Sequence, residues 1–170
     1  GMFAAAEELA SMAKAEGGKP IYAYLDERAC SAAYVLASAC DKIMGRREVM
    51  GGSIAAIINM VDKSKMYEKA GLEPIVIRAG WADRKARWSG VEPVDKETIS
   101  RLEEIVDEAS EQVVEFVAAM RGDRGVTAKS LKDLRGEVFT GNDLLKFGLI
   151  DRIASEREAW DALIAEARSA

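Results

Sequence analysis

Short apolar runs bounded by turn residues alternate with helix-forming stretches along this chain, and that alternation constrains its fold more than any other feature. Residues 3–16 are rich in Ala, Glu, Leu and Met and stop at Gly17-Gly18. Ala5, Leu9, Met12 and Ala13 share one face, which predicts an amphipathic helix. Pro20 opens IYAYLD (21–26), short enough for a buried strand, and ERAC (27–30) reads as the turn after it. The Ala-rich stretch 31–40 predicts a buried helix. Lys42–Met44 reads as a short strand, Arg46-Arg47-Glu48 as a turn, and 49–59 as a Gly-containing extended segment. A short helix over 63–70, capped by Gly71, precedes PIVIRA (74–79), a second convincing strand. Strands alternating with helices imply an α/β architecture with a mostly parallel sheet flanked by helices.

From Asp95 to Met120, Ile99, Leu102, Val106, Ala109, Val113, Phe116 and Met120 recur at three- and four-residue steps, the pattern of one long amphipathic helix. At about 39 Å it outreaches a small single-layer core, so it is expected to pack across the sheet and continue into a partner. RGDRG ends it. A short helix (127–134), the strand EVFT (137–140), a helix over 141–148, the strand LIDRI (149–153) and a terminal helix (155–168) follow. Only about four good strands emerge, and the chain opens directly on a helix. The reading is therefore one domain over residues 2–170 lacking its first strands, completed by a partner or by an earlier part of a longer chain. Gly1-Met2 reads as a tag remnant or trimmed start.

The chain has no histidine, so it cannot run a Ser-His-Asp or Cys-His mechanism with its own residues and lacks the commonest zinc ligand. Acid–base chemistry falls to carboxylates, Lys, Tyr or Cys. A net charge of −5 speaks against a nucleic-acid partner. Cys30 and Cys40 form neither a ligand cluster nor a secreted disulfide framework, which favours a reducing compartment. No apolar run approaches the ~20 residues needed to span a bilayer, and no signal sequence is present, so a soluble protein is expected.

Ser31 stands where a strand gives way to a helix. Its hydroxyl would lie near the unpaired N–H groups of that helix, where an alkoxide or oxyanion is stabilised; an ordinary N-cap Ser occupies the same place. Cys30 is a rival nucleophile without an imidazole partner, and a small buried side chain is its alternative role. Asp26 and Asp62 suit surface or cap roles, and Trp81 and Trp88 suit a substrate or subunit contact surface, with loop packing as the alternative.

KPIYAYLDERACSAAY, then DKIM, GGSIA, KAGLEP with IVIRAG, a basic loop and VFTGNDLLKFGLID, in that order over roughly residues 3–153, resemble the signal-peptide-peptidase and phage prohead-protease family of serine peptidases. The resemblance implies a Clp-protease/crotonase-like α/β spiral, a Ser nucleophile, a Lys general base and no cofactor or metal. Ala29, Ser31, Ala32 and Ala33 match the family's A-x-S-small-small pattern, so Ser31 is the implied nucleophile and the Ala32 N–H the implied oxyanion donor. A lysine at its ordinary pKa of ~10.4 is neutral about once in 2,500 molecules at pH 7. A lysine base therefore has to be buried beside the nucleophile, at a cost of ~4 kcal/mol. The family carries it in Gly-x-x-Lys after the strand equivalent to PIVIRA. Here Gly80 matches but Asp83 stands three residues on, and two extra loop residues would bring Lys85 to the position. Taken alone, Lys85 is equally a solvated loop residue. Ser53 in GGSIA matches a second family serine that orients the amine; a turn Ser is its alternative. Arg84 and Arg87 stay protonated and cannot substitute.

Family members carry several strands and a Ser-Pro-Gly-Gly segment with oxyanion donors before the first helix, where Gly1-Met2 stands here. Peptidase ancestry and peptidase activity are thus separate expectations. The leading reading is a Ser31–Lys85 endopeptidase that forms an acyl-enzyme, taking a peptide or unfolded protein such as a signal-peptide remnant or a phage capsid or scaffold protein. A homo-oligomer is implied, cytoplasmic or phage-associated, with membrane attachment of a fuller chain left open. The alternatives are a catalytically impaired assembly module of the same fold and, more weakly, a crotonase-type acyl-CoA enzyme, for which no Gly-rich oxyanion loop or placed Glu is found.

Overall fold

A computed structural model describes residues 1–13 and 18–169. The chain divides into two compact units, residues 1–55 with 110–170, and residues 56–109. In the first, α1 (Met2–Ala13) is built from strong helix formers and buries Ala6 and Ala10. Residues 14–16 of the expected helix lie outside the described residues. Strand β1 (Tyr22–Leu25) pairs in parallel with β3 (Lys42–Gly45), which pairs in parallel with β6 (Arg152–Ile153). A second sheet sets β2 (Arg28–Cys30) parallel to β4 (Met50–Gly52) and β4 antiparallel to β5 (Val138–Thr140). Among the described residues, six short strands in two three-stranded sheets thus replace the roughly four expected from sequence.

ERAC is accordingly corrected from turn to strand over its last three residues. Ala29 is buried between exposed Arg28 and half-buried Cys30, an alternation too short to show as periodicity. The opposite correction falls on PIVIRA. Residues 74–79 form no ladder, and Ile75 and Ile77 are 84% and 91% exposed. A run of β-branched residues has strand propensity, but a strand needs a partner, and none pairs with it among the described residues. LIDRI likewise keeps only Arg152–Ile153 as strand, and 49–59 only Met50–Gly52.

Helix α2 (Ala32–Ser38) sends Tyr34 and Val35 into the core with Ile43, Leu144 and Leu149. The buried Tyr34 hydroxyl donates to the Leu149 carbonyl at 2.6 Å, so no polar atom is stranded there. The second unit holds α3 (Ser64–Lys69), whose N-cap Lys63 makes no side-chain cap; the exposed Asp62 before it accepts from the Ser64 N–H at 2.9 Å. The long helix α4 (Lys96–Arg121) has 26 residues, as its period predicts. Its C-terminal half buries Val113, Val114 and Val117 in the core of the first unit, where Phe116 meets Phe3 edge-on at 5.8 Å. In its N-terminal half, Ile99 and Ile105 remain 40% exposed. Then come α5 (Ala128–Asp133), opened by a Thr127/Ser130 capping box, α6 (Gly141–Lys146) and α7 (Glu156–Ser169).

Candidate active site

Ser31 links β2 to α2 with φ 52° and ψ −122°, a backbone an L-residue adopts only when its surroundings impose it. The imposing contacts are on either side of it. Its N–H donates to the Gly52 carbonyl at 2.9 Å, extending the β2–β4 ladder, while its carbonyl accepts from the Val35 N–H at 3.0 Å and starts the helix. An N-cap serine sits in the β region and folds its side chain over the helix end. Ser31 does neither: it makes no side-chain cap, and it is exposed. Ala32, the first helical residue, is exposed too, and its N–H has no hydrogen-bond partner among the described residues.

The same ladder brings Ser53 alongside. Cys30 pairs with Gly52, the last residues of β2 and β4, so Ser31 and Ser53 each follow the end of one of two adjacent parallel strands. Ser53 also has positive φ, 53°, and its N–H donates to the Glu137 carbonyl at 2.8 Å. Before it, Gly52 takes φ 102°, and a Cβ there would sit 2.7 Å from the Glu137 carbonyl oxygen, so the approach requires glycine. Ser31, Ala32 and Ser53 thus meet at one strand edge.

Lys85 belongs to the second unit and is exposed. It lies in consecutive turns, its N–H donating to the Ala82 carbonyl at 3.0 Å, and Ala86 follows in the left-handed region at φ 59°. Asp83, at the strict Gly-x-x-Lys position, is exposed as well. Trp81 and Trp88 are 89% and 55% exposed. Cys30 is half-buried with its sulfur 4.0 Å from the Met50 carbonyl oxygen. Burial, reinforced by Asp41, pushes the Cys40 thiol up to about 11, far from a reactive thiolate. Among the described residues no group of three or more Cys, Asp or Glu is placed to hold a metal ion.

Residues 13–169 match the model of Peptidase family S49. The chain belongs to that family.

It is 30% identical over 164 residues to a protein carrying the name signal peptide peptidase SppA in Enterococcus faecium, covering 96% of this chain and 46% of that one. To the capsid assembly protease C of Escherichia phage lambda it is 25% identical over 165 residues, covering 94% of this chain and 35% of the relative. The chain therefore spans about half the length, or less, of these curated relatives. Among solved structures, a mutant of the 1510-N membrane-bound stomatin-specific protease superposes with a TM-score of 0.53 at 14% identity, over 94% of this chain and 60% of that one. The fold is the Clp-protease-like α/β arrangement expected from the motifs.

One part of the S49 motif had no assigned task in the sequence and receives one in the structure. Asp151, closing FGLID, accepts from Arg121 Nη2 at 3.0 Å and Nη1 at 3.1 Å, from Arg124 Nε at 2.7 Å and from the Ile43 N–H at 2.6 Å. Arg121 is 1% exposed and also donates to the Gly148 carbonyl at 2.8 Å. This buried, bidentate pair ties α4 to β3 and β6. An acidic residue ending an apolar GLI run was the available signal, since a carboxylate drawn to a core edge needs a cation. The Glu137 carbonyl, which fixes Ser53, left no such signal because any residue type supplies it.

Proposed function

We propose that this S49 chain is a serine endopeptidase domain in which Ser31 is the nucleophile and Lys85 the general base. The observation that carries the proposal is the Ser31 backbone: a strained serine between strand and helix, uncapped and exposed, beside a second strained serine. Strain of this kind costs on the order of 1–3 kcal/mol, and the Ser31 hydroxyl makes no cap to the helix it precedes. Ser31 Oγ attacks the peptide carbonyl while the neutral Lys85 amine takes its proton. The Ala32 N–H donates to the tetrahedral oxyanion, and the lysine ammonium returns the proton to the leaving amine. Water then hydrolyses the ester by the same route. Ser53 orients the lysine amine. The exposed Lys85 side chain obtains the burial a neutral amine needs from bound substrate or a neighbouring copy.

The names of the relatives support signal-peptide remnants or phage capsid and scaffold proteins as the substrate class. Self-association belongs to the same proposal and is supported by exposed Ile75, Ile77 and Trp81. The test is turnover of dye-labelled unfolded casein by the wild-type chain and by Ser31→Ala. The substitution is expected to abolish cleavage, and an unchanged rate overturns the assignment.

A further inference from the structure

Cations crowd the loop around Lys85, and the structure sorts them. Arg84 Nη1 pairs with Glu97 at 2.8 Å and reaches Asp95 at 3.6 Å. Arg87 pairs with Glu92 at 3.3 Å and with Asp95 at 3.2 Å. Arg78 pairs with Glu92 through Nη2. Lys85 is the one cation of residues 78–87 whose side chain has no hydrogen bond or ion pair among the described residues. Its main chain is held instead: Arg78 Nε donates to the Lys85 carbonyl at 2.7 Å.

Arg78 therefore makes two contacts at once, one to a carboxylate and one to the lysine's own backbone, from different nitrogens of a planar guanidinium whose fork fixes their relative direction. Its side chain is only 13% exposed. Behind it the contacts continue. Glu92 is shared with Arg87, Arg87 reaches Asp95, and Asp95 accepts from the Thr98 N–H at 2.7 Å at the start of α4. Residues 80–86 have no regular secondary structure of their own, so this chain of hydrogen bonds relates the Lys85 backbone to a rigid helix.

We propose that Arg78 is a positioning residue for the lysine base, closing residues 78–85 into a loop that fixes where the Lys85 stem begins. The inference rests on the reading of Lys85 as base. A four-carbon stem reaches a wide volume, and a displacement near 1 Å costs on the order of 10²-fold in rate, so an anchor at the backbone governs how often the amine meets the hydroxyl.

The experiment measures kcat and KM for dye-labelled unfolded casein with the full chain in five forms: wild type, Arg78→Gln, Arg78→Lys, Glu92→Gln and Lys85→Ala. Arg78→Gln is expected to lower kcat about tenfold with KM within about twofold of wild type. Arg78→Lys, which keeps one of the two contacts, falls between, and Glu92→Gln lowers kcat in the same direction by less. Should Arg78→Gln not fold, these two milder variants carry the same expectation. Wild-type kcat in the Arg78 and Glu92 variants, or a loss confined to KM, with Lys85→Ala inactive, overturns the positioning role and leaves the lysine base standing. Full turnover by Lys85→Ala, or no turnover by wild type, overturns the base itself and this inference with it.

Discussion

Ser31 and Ser53 hold φ values of 52° and 53° just past the ends of neighbouring strands, and in both cases the N–H is held by a backbone carbonyl of the neighbouring chain segment. For Ser53 that carbonyl belongs to Glu137, and Gly52 makes room for it. Gly52→Ala would place a methyl 2.7 Å from the oxygen at a φ of 102°. It is expected to destabilise the fold by about 2–4 kcal/mol and to show as a lower urea midpoint with an unchanged slope; a midpoint equal to wild type would contradict the packing. The junction at Ser31 was legible in the sequence, since an apolar run followed by a Ser and an Ala-rich stretch announces strand, turn and helix. The torsion was not. Serine has no local preference for positive φ, so only the long-range pairing with Gly52 reveals that this one is not a cap.

Among the elements, those with a sustained period were readable, whereas of the three-residue strands EVFT was anticipated and β2 was not. Helix α4 declares itself through seven apolar positions, whereas β2 is defined by partners twenty-two residues away and not by its own composition. PIVIRA is the inverse: it has every strand propensity and no ladder. The start of α4 also carries the clearest pH dependence. Hydrogen bonds from Thr98, first its side chain and then its backbone, hold the Asp95 carboxyl down to about 2, with Arg87 and Arg84 adding to the effect. A carboxylate lowered on folding stabilises the native state above its unfolded pKa of ~3.9. That contribution is lost as the pH falls from there through about 2. Asp95→Asn is therefore expected to flatten the fall in stability between roughly pH 4 and pH 2, read from urea unfolding followed by helical circular dichroism. An identical acid profile for the two proteins would remove Asp95 from the balance.

At the scale of the whole molecule, the residues from 56 to 109 expose an unusual number of large apolar side chains for their length, Ile57, Val61, Ile75, Ile77 and Trp81 among them. If self-association covers the 74–79 segment, replacing Ile75 and Ile77 with Lys lowers the molar mass measured by light scattering at fixed concentration. A mass equal to wild type would place the contact elsewhere. No described helix is long and apolar enough to cross a membrane. The order in which the parts are made has its own consequence. The backbone at Ser53 is held only when the Glu137 carbonyl arrives, in the last fifth of the sequence. A nascent chain emerging from a ribosome carries Ser31 and Ser53 well before the carbonyl that holds Ser53. Synthesis therefore sets an order: the backbone at Ser53 is fixed only after Glu137 has been made.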